Sequence, residues 1–127
     1  ELLQSVFDGI TDVVVLLDHD RQVKMVNQAF LDRNEVTLEQ VLNHQLSKLP
    51  LKKNCPFTFC ATSLSLSSRK VTVEQVRTEE GTIYEVSLYP IVSERGTVLN
   101  IVCYAKDITE QKQVEQRIQQ TEKLFAL

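Results

Sequence analysis

The sequence predicts an α+β fold: a five-stranded antiparallel sheet with short helices on one face, flanked by N- and C-terminal helices. Three observations carry this. Two strand patterns come early, a run of short helical patterns follows, and three more strand patterns close the folded part. Strands and helices segregated in this way indicate one sheet with its helices gathered together rather than alternating βαβ units.

Leu2, Leu3, Val6 and Phe7 read as the end of an incoming amphipathic helix, broken by Asp8-Gly9. Val13 to Leu17 is an unbroken apolar run containing three valines, which reads as a short strand buried on both faces. Asp18-His19-Asp20-Arg21 makes a turn, and Val23 to Val26 returns as the partner strand. Asn27 caps a helix running through Arg33. Thr37 and Gln40 form a T-x-x-Q capping box for a helix from Leu38 to about Leu42. A short segment from Gln45 to Leu49 ends before Pro50, which biases Leu49 out of helical geometry.

A helix then begins at Pro56, a residue that the first turn tolerates. Phe57, Cys60, Ala61 and Leu64 recur at helical spacing and give it one apolar stripe. Ser65 to Ser68 weakens its end. Val71 to Thr78, Ile83 to Val92 and Thr97 to Ala105 are successive strands, separated by the turns Glu80-Gly81 and Glu94-Arg95-Gly96. The last strand is apolar at both parities: Leu99, Ile101, Cys103 and Ala105 on one, Val98, Val102 and Tyr104 on the other. A sheet with one solvated face alternates more cleanly. The far face is therefore expected to be covered, by the N-terminal helix or by a second subunit.

Beyond that strand the pattern turns helical without an intervening loop, and no Gly or Pro follows. Asp107 is placed to cap this final helix, with Glu110 completing a capping box. A strand running directly into an outgoing helix is a mechanical connection. The chain divides accordingly into residues 1–8 as incoming helix, 9–109 as the folded domain and 110–127 as outgoing helix. Both termini read as continuing into a longer protein.

Composition narrows the function classes. At 127 residues, one domain is the prior, and a chain of this size buries roughly two-thirds of its unfolded surface. Apolar content of 43% and charged content of 24% are ordinary for a globular protein. Net charge is −3 with scattered Lys and Arg, which argues against a nucleic-acid surface. No apolar run is long enough to span a bilayer, and no signal peptide is evident. Three cysteines cannot all pair, which favours a reducing, cytoplasmic compartment. There is no Gly-rich phosphate loop and no nucleophile elbow, so nothing points to an enzyme.

Several segments, in this order, resemble a PAS domain. They are the Val-Val-Val-Leu-Leu-Asp strand ending at Asp18, Val23-Lys24-Met25-Val26-Asn27-Gln28-Ala29-Phe30, and Glu39-Gln40-Val41-Leu42-Asn43-His44. Tyr84-Glu85-Val86-Ser87-Leu88-Tyr89-Pro90-Ile91 and the closing Asp107-Ile108-Thr109-Glu110 complete the set. The resemblance spans about residues 9 to 110. The Cys55-Pro56 helix start is similar to PAS domains of bacterial two-component sensors. The tail Thr121 to Leu127 looks like the segment entering the phosphoacceptor helix of a sensor histidine kinase. The phosphoacceptor His would follow Leu127, so this stretch itself is expected to be non-catalytic. Other effectors, such as cyclic-dinucleotide enzymes, fit the resemblance too.

PAS domains can hold flavin, and Asn54-Cys55-Pro56-Phe57 resembles the Asn-Cys-Arg-Phe photoadduct motif of flavin photoreceptors. Aligning Val41-Leu42-Asn43-His44 to that family puts Leu46 where the reactive Cys stands, and the Arg and Gln that follow that Cys are missing. Flavin is disfavoured. Haem is disfavoured as well: the family's ligand helix, here Pro56 to Leu66, contains no His, and His19 and His44 sit in a turn and at a helix start. Cys55 and Cys60 have no second pair with which to complete a zinc site. Five helical residues rise about 7.5 Å, which also disfavours a disulfide between them. Cys55 at a helix start is a candidate redox thiol, against the plainer reading of inert buried thiols. Asp18-His19-Asp20 reads as hairpin-turn chemistry rather than metal ligands. No metal and no cofactor is assigned.

Phe30, Phe57, Cys60, Leu64, Val86, Leu88 and Cys103 either line a small-molecule cavity between sheet and helices or are simply core. In the final helix, Val114, Ile118, Thr121 and Phe125 make a 4-3-4 seam for a parallel homodimer contact. The resemblance implies a sensory input domain of a signal-transduction protein. A signal would be relayed through Asp107, Ile108 and Thr109 to the outgoing helix and on to a kinase or other effector in the same chain. The alternative is a ligand-free dimerisation or protein-interaction scaffold.

Overall fold

The computed structural model describes residues 2–49 and 70–125. Within them lie α1 (Leu2–Asp8), β1 (Val13–Asp18), β2 (Val23–Val26), α2 (Gln28–Asn34), α3 (Leu38–Val41) and a 3₁₀ turn over Leu46–Lys48. From residue 70 onward come β3 (Thr72–Arg77), β4 (Ile83–Val92), β5 (Val98–Asp107) and α4 (Thr109–Phe125). The five strands form one antiparallel sheet in the order β2-β1-β5-β4-β3. The α+β fold expected from the pattern is the fold observed. The helix expected from Pro56, with Cys55, Phe57, Cys60 and Leu64, lies outside the described residues.

β5 is the central strand and β1 lies beside it, inside the β2 edge, which explains their composition. Val13, Val14, Val15 and Leu17 are all buried, so β1 is covered on both faces as its apolar run predicts. On the core face, Val13, Val15 and Leu17 pair across to Ala105, Cys103 and Ile101 of β5. Val86 and Leu88 of β4 continue the layer beside Ala105 and Cys103. Phe30, Val41 and Leu46 close over it from the helical side and belong to the same cluster.

Two register shifts put side chains where simple alternation would not. In β2, Met25 pairs with Leu16 while Val23 pairs with Leu17, so Lys24 is an extra residue. This bulge lets Val23 and Val26, an odd number apart, both face the core. In β5, Asn100 pairs with Ile91 while Val98 pairs with Val92, so Leu99 is extra. Leu99, expected beside Ile101, is instead 47% exposed, and Val98 packs against the core in its place. Strict parity misassigns both residues because a bulge reverses facing from that point outward.

The far face is only partly covered. Val14 and Ser87 are buried there, and Leu16, Val102 and Tyr104 are half-buried, whereas Val73 and Tyr89 are exposed. The N-terminal helix does not supply the expected cover, for none of its residues is buried. It is tied instead to the start of α2. Asp8 Oδ1 accepts from the Gln28 N–H at 2.9 Å, and Gln4 Nε2 donates to the Val26 carbonyl at 3.2 Å.

The sheet edge at β2 is closed by backbone from the helical segment. The Val23 N–H donates to the His44 carbonyl and the Asn43 N–H to the Val23 carbonyl, at 2.9 and 2.8 Å. An edge paired this way offers no template for another strand. The turn after β1 is held by Asp18, whose Oδ1 accepts from the N–H groups of Asp20 and Gln22, each at 2.9 Å. Burial works against ionisation of Asp18. The two amides and the nearby charges of Lys24 and His19 outweigh it and hold the carboxyl below its usual value. Arg21 completes the turn at φ +65°, the left-handed region.

Asn27 does more than cap α2. Fully buried, its Oδ1 accepts from the Phe30 N–H at 3.2 Å and from the Val14 N–H at 3.1 Å. Its Nδ2 donates to the carbonyls of Ile10 and Asp12 at 3.0 and 2.6 Å. One side chain therefore joins the α1–β1 linker, β1 and α2. Asn27→Ala removes the cap and leaves buried polar groups without partners, for an expected loss of about 3 kcal/mol. Urea unfolding measures this. Asn27→Asp is also expected to destabilise, because it sets a carboxylate against two carbonyls.

Candidate functional site

The region with built chemistry is the passage from sheet to exit helix. β5 ends at Asp107 and α4 begins at Thr109, so Ile108 alone separates them. The Ile108 carbonyl accepts from the Lys112 N–H at 3.0 Å, which makes Ile108 the capping position. The capping box expected of Asp107 and Glu110 therefore does not form, since the capping position falls on Ile108, whose side chain has no acceptor. Asp107 stands outside the helix and makes an Asx turn: its Oδ1 accepts from the Thr109 N–H at 3.0 Å and from the Thr109 hydroxyl at 2.7 Å.

The anchor to the sheet is made by Thr109 rather than by Asp107 directly. The Thr109 hydroxyl accepts from the Ile83 N–H at 2.9 Å while it donates to Asp107. The Ile108 N–H donates to the Ile83 carbonyl at 2.9 Å, and the Ile108 side chain is buried. Both backbone groups of Ile83, the first residue of β4, are therefore spent on the first residues beyond β5. Asp107 fixes the direction of the hydroxyl that completes the chain.

The neighbouring residue extends this hub to the helical face. Tyr84 pairs with Asp107 across the strands and is buried. Its hydroxyl accepts from Arg33 Nη1 at 3.0 Å, and the guanidinium lies 5.8 Å from the ring centroid. Arg33 sits in the last turn of α2. Neither residue stands out in the sequence. A Tyr sharing parity with Val86 and Leu88 does carry a signal, since a buried hydroxyl must find a partner.

Of the residues expected near a cavity, Phe30, Val86, Leu88 and Cys103 are brought into one core cluster, all buried. Phe57, Cys60 and Leu64 lie outside the described residues. Among the described residues, two open grooves of about 520 and 500 Å³ flank the first turns of α4, sharing Asp107, Glu110 and Val114. Both are open to solvent, unlike an enclosed ligand cavity. Val114 and Ile118 are exposed on α4, at 45% and 53%. The side chain of Phe125 lies outside the described residues. Of the two histidines, His19 faces Asp20 at 3.3 Å on the surface, and His44 lends its backbone carbonyl to β2.

On the far face, the Tyr104 hydroxyl donates to Asp12 Oδ2. That hydrogen bond, then burial, then the charge of Asp12 and proximity to Tyr89 push the Tyr104 pKa up to about 12.

Comparison with known proteins agrees with this architecture. The model of the PAS fold family matches residues 7–113. The chain belongs to the PAS family. The PAS domain of BvgS from Bordetella pertussis superimposes with a TM-score of 0.70 at 16% identity, over 96% of this chain and 95% of that one. A PAS domain from Colwellia psychrerythraea gives 0.62 at 19% identity, over 87% and 99%. A sensory box sensor histidine kinase from Vibrio cholerae gives 0.58 at 18% identity, over 84% and 88%. None of the curated proteins matches the sequence. As a PAS domain, the chain is a sensory domain. No helix among its described residues is long and apolar enough to cross a membrane.

The raised Tyr104 pKa fixes a direction in pH. The folded state favours the neutral phenol, so this stabilisation is complete below the ordinary tyrosine value of about 10. It is lost as pH rises from there through about 12. The stability advantage of the parent over Y104F, read from urea midpoints, is expected to shrink as pH is raised above about 10. A constant advantage contradicts the assignment.

Proposed function

We propose that this PAS domain is the cytoplasmic input module of a signal-transduction protein, a sensor histidine kinase. Residues 9–109 form the sensory core, and its signal leaves through β5, Asp107, Ile108 and Thr109 into the outgoing helix. The observation that carries the reading is the hydrogen-bonded seating of Ile108 and Thr109 on Ile83. A floppy joint there would dissipate a shift in the sheet, whereas this joint commits the first turn of α4 to follow it. Phe30, Val86, Leu88 and Cys103, with Phe57, Cys60 and Leu64, are proposed to wall the site where a small molecule acts. Arg33 and Tyr84 then lead from the helical face to the residue beside Asp107. Likeness to a sensor histidine kinase domain supports the choice of effector.

Asp107→Ala removes the acceptor of two hydrogen bonds from Thr109 and is expected to cost the domain about 1 kcal/mol. In the full-length protein it is expected to uncouple signal from output. Thr109→Val, which breaks the same chain of hydrogen bonds, is expected to do likewise. A normal signal response in both variants refutes the relay.

Val114, Ile118 and Phe125 are proposed as the seam of a parallel homodimer. The exposure of Val114 and Ile118 supports this. Beyond its first turns α4 buries almost nothing against the domain, so the seam depends on adjoining domains. In a chain extended into the next domain, sedimentation should give a dimer that Val114→Asp with Ile118→Asp converts to monomer. A strict monomer before substitution contradicts the seam. The exposed Val73 and Tyr89 also favour a second reading, a ligand-free dimerisation or interaction scaffold. Native mass spectrometry separates the two, since a retained small molecule supports sensing.

A further inference from the structure

Asp12 stands where the incoming chain enters the sheet, and it is held from two directions. Asn27 Nδ2 takes its backbone carbonyl, together with that of Ile10. The Tyr104 hydroxyl takes its carboxylate. Tyr104 lies on β5, paired with Val14 on one side and Ser87 on the other. From Tyr104 to Asp107 the register of β5 is regular, so this stretch moves as one piece with β4. Tyr104 has the opposite parity to Cys103 and Ala105, so this bond is made on the face away from the core.

We propose that the Tyr104–Asp12 hydrogen bond is a second input to the relay, delivering the placement of α1 to β5 and thence to Thr109 and α4. It rests on the reading of α4 as the output and adds a port to it. A signal reaching the helical face enters through Arg33 and Tyr84. A displacement of the preceding segment enters through Asp12 and bypasses the core. A charge-assisted hydrogen bond suits the task, being stronger and more directional than a neutral one. The rival paths are the backbone pairing of Val13 with Ala105 and the Asn27 bonds from Ile10 and Asp12 to Val14, which removal of the Tyr104 hydroxyl leaves intact.

The test perturbs one end and reads the other. Asp8→Ala releases α1 from the Gln28 amide. The backbone amide chemical shifts of Thr109 to Gln113 are recorded with and without this substitution, in the parent and in Y104F. The response at these amides should fall by at least half in Y104F, while the local response at Gln28 to Leu31 persists. Asp12→Ala should produce the same loss, and the double variant no more than either alone. Equal responses in parent and Y104F, no response at Thr109 to Gln113 in either, or additive losses in the double variant would each overturn the proposal. Y104F deletes a single hydroxyl and keeps the strand pairing, so the comparison does not depend on a damaged fold. The readout is a shift in the domain itself, whereas the Asp107 relay is read in the output of the full-length protein, so the two readings fail separately.

Discussion

The backbone of Ile83 is the point on which the exit of the chain depends. A strand ending beside a helix start leaves polar groups on both elements needing partners. Orphaned N–H and C=O groups are expensive to bury. Here the two problems solve each other. The Ile83 carbonyl takes the Ile108 N–H, and the Ile83 N–H is taken by the Thr109 hydroxyl. Asp107 supplies the acceptor that the same hydroxyl requires on its other side. Moving any one member strips a partner from the next. The first turn of α4 therefore cannot move independently of β4 without leaving donors unpaired.

Position in the sheet gives that seating its reach. β5 is paired along its length to β1 on one side and β4 on the other. β1 is tied through Val14 to Asn27, and Asn27 governs the start of α2. The last turn of α2 sends Arg33 to Tyr84, directly across from Asp107. The polar contacts thus close a loop around an apolar core, leaving the sheet at Asn27 and returning at Tyr84. Apolar packing resists compression but has little direction. The hydrogen bonds give the loop its direction.

Much of this was legible from residue order. The valine run of β1, the caps at Asn27 and Thr37, the span of β4 and the loop-free junction all follow from periodicity and turn chemistry. The parts that were not legible share a cause. Leu99 and Val98 exchange roles because Leu99 is itself the bulged residue, and bulges leave little trace in a run that is apolar at both parities. Asn27 reads as a local cap, since the sequence does not show that β1 will run close enough to use the same oxygen. Asp107 reads as the cap, and Thr109 reads as a relay residue without any sign that its hydroxyl is the anchor to Ile83. Pairing Thr109 with Ile83 is a long-range fact fixed by the meander. Local chemistry is written locally. Bonds spanning dozens of residues emerge only once the register is set.

Two tyrosines show how one residue type serves opposite faces. Tyr84 puts its ring into the core and its hydroxyl at the rim under Arg33. Tyr104 turns outward and fastens the entry of the chain at Asp12. Each lies on a strand that meets at the junction, β4 for one and β5 for the other. A rigid phenol has few rotamers to lose, so it holds a distant partner at low entropic cost. Leu or Val at either place would fill space without specifying a neighbour. The sheet thereby keeps separate handles on its two faces, and both act on the strand pair that seats α4. A domain that merely needed stability could have met it with apolar side chains at both positions, because removing apolar surface from water is the main force that drives folding. The polar handles instead fix named neighbours on both faces of the strand pair that seats α4.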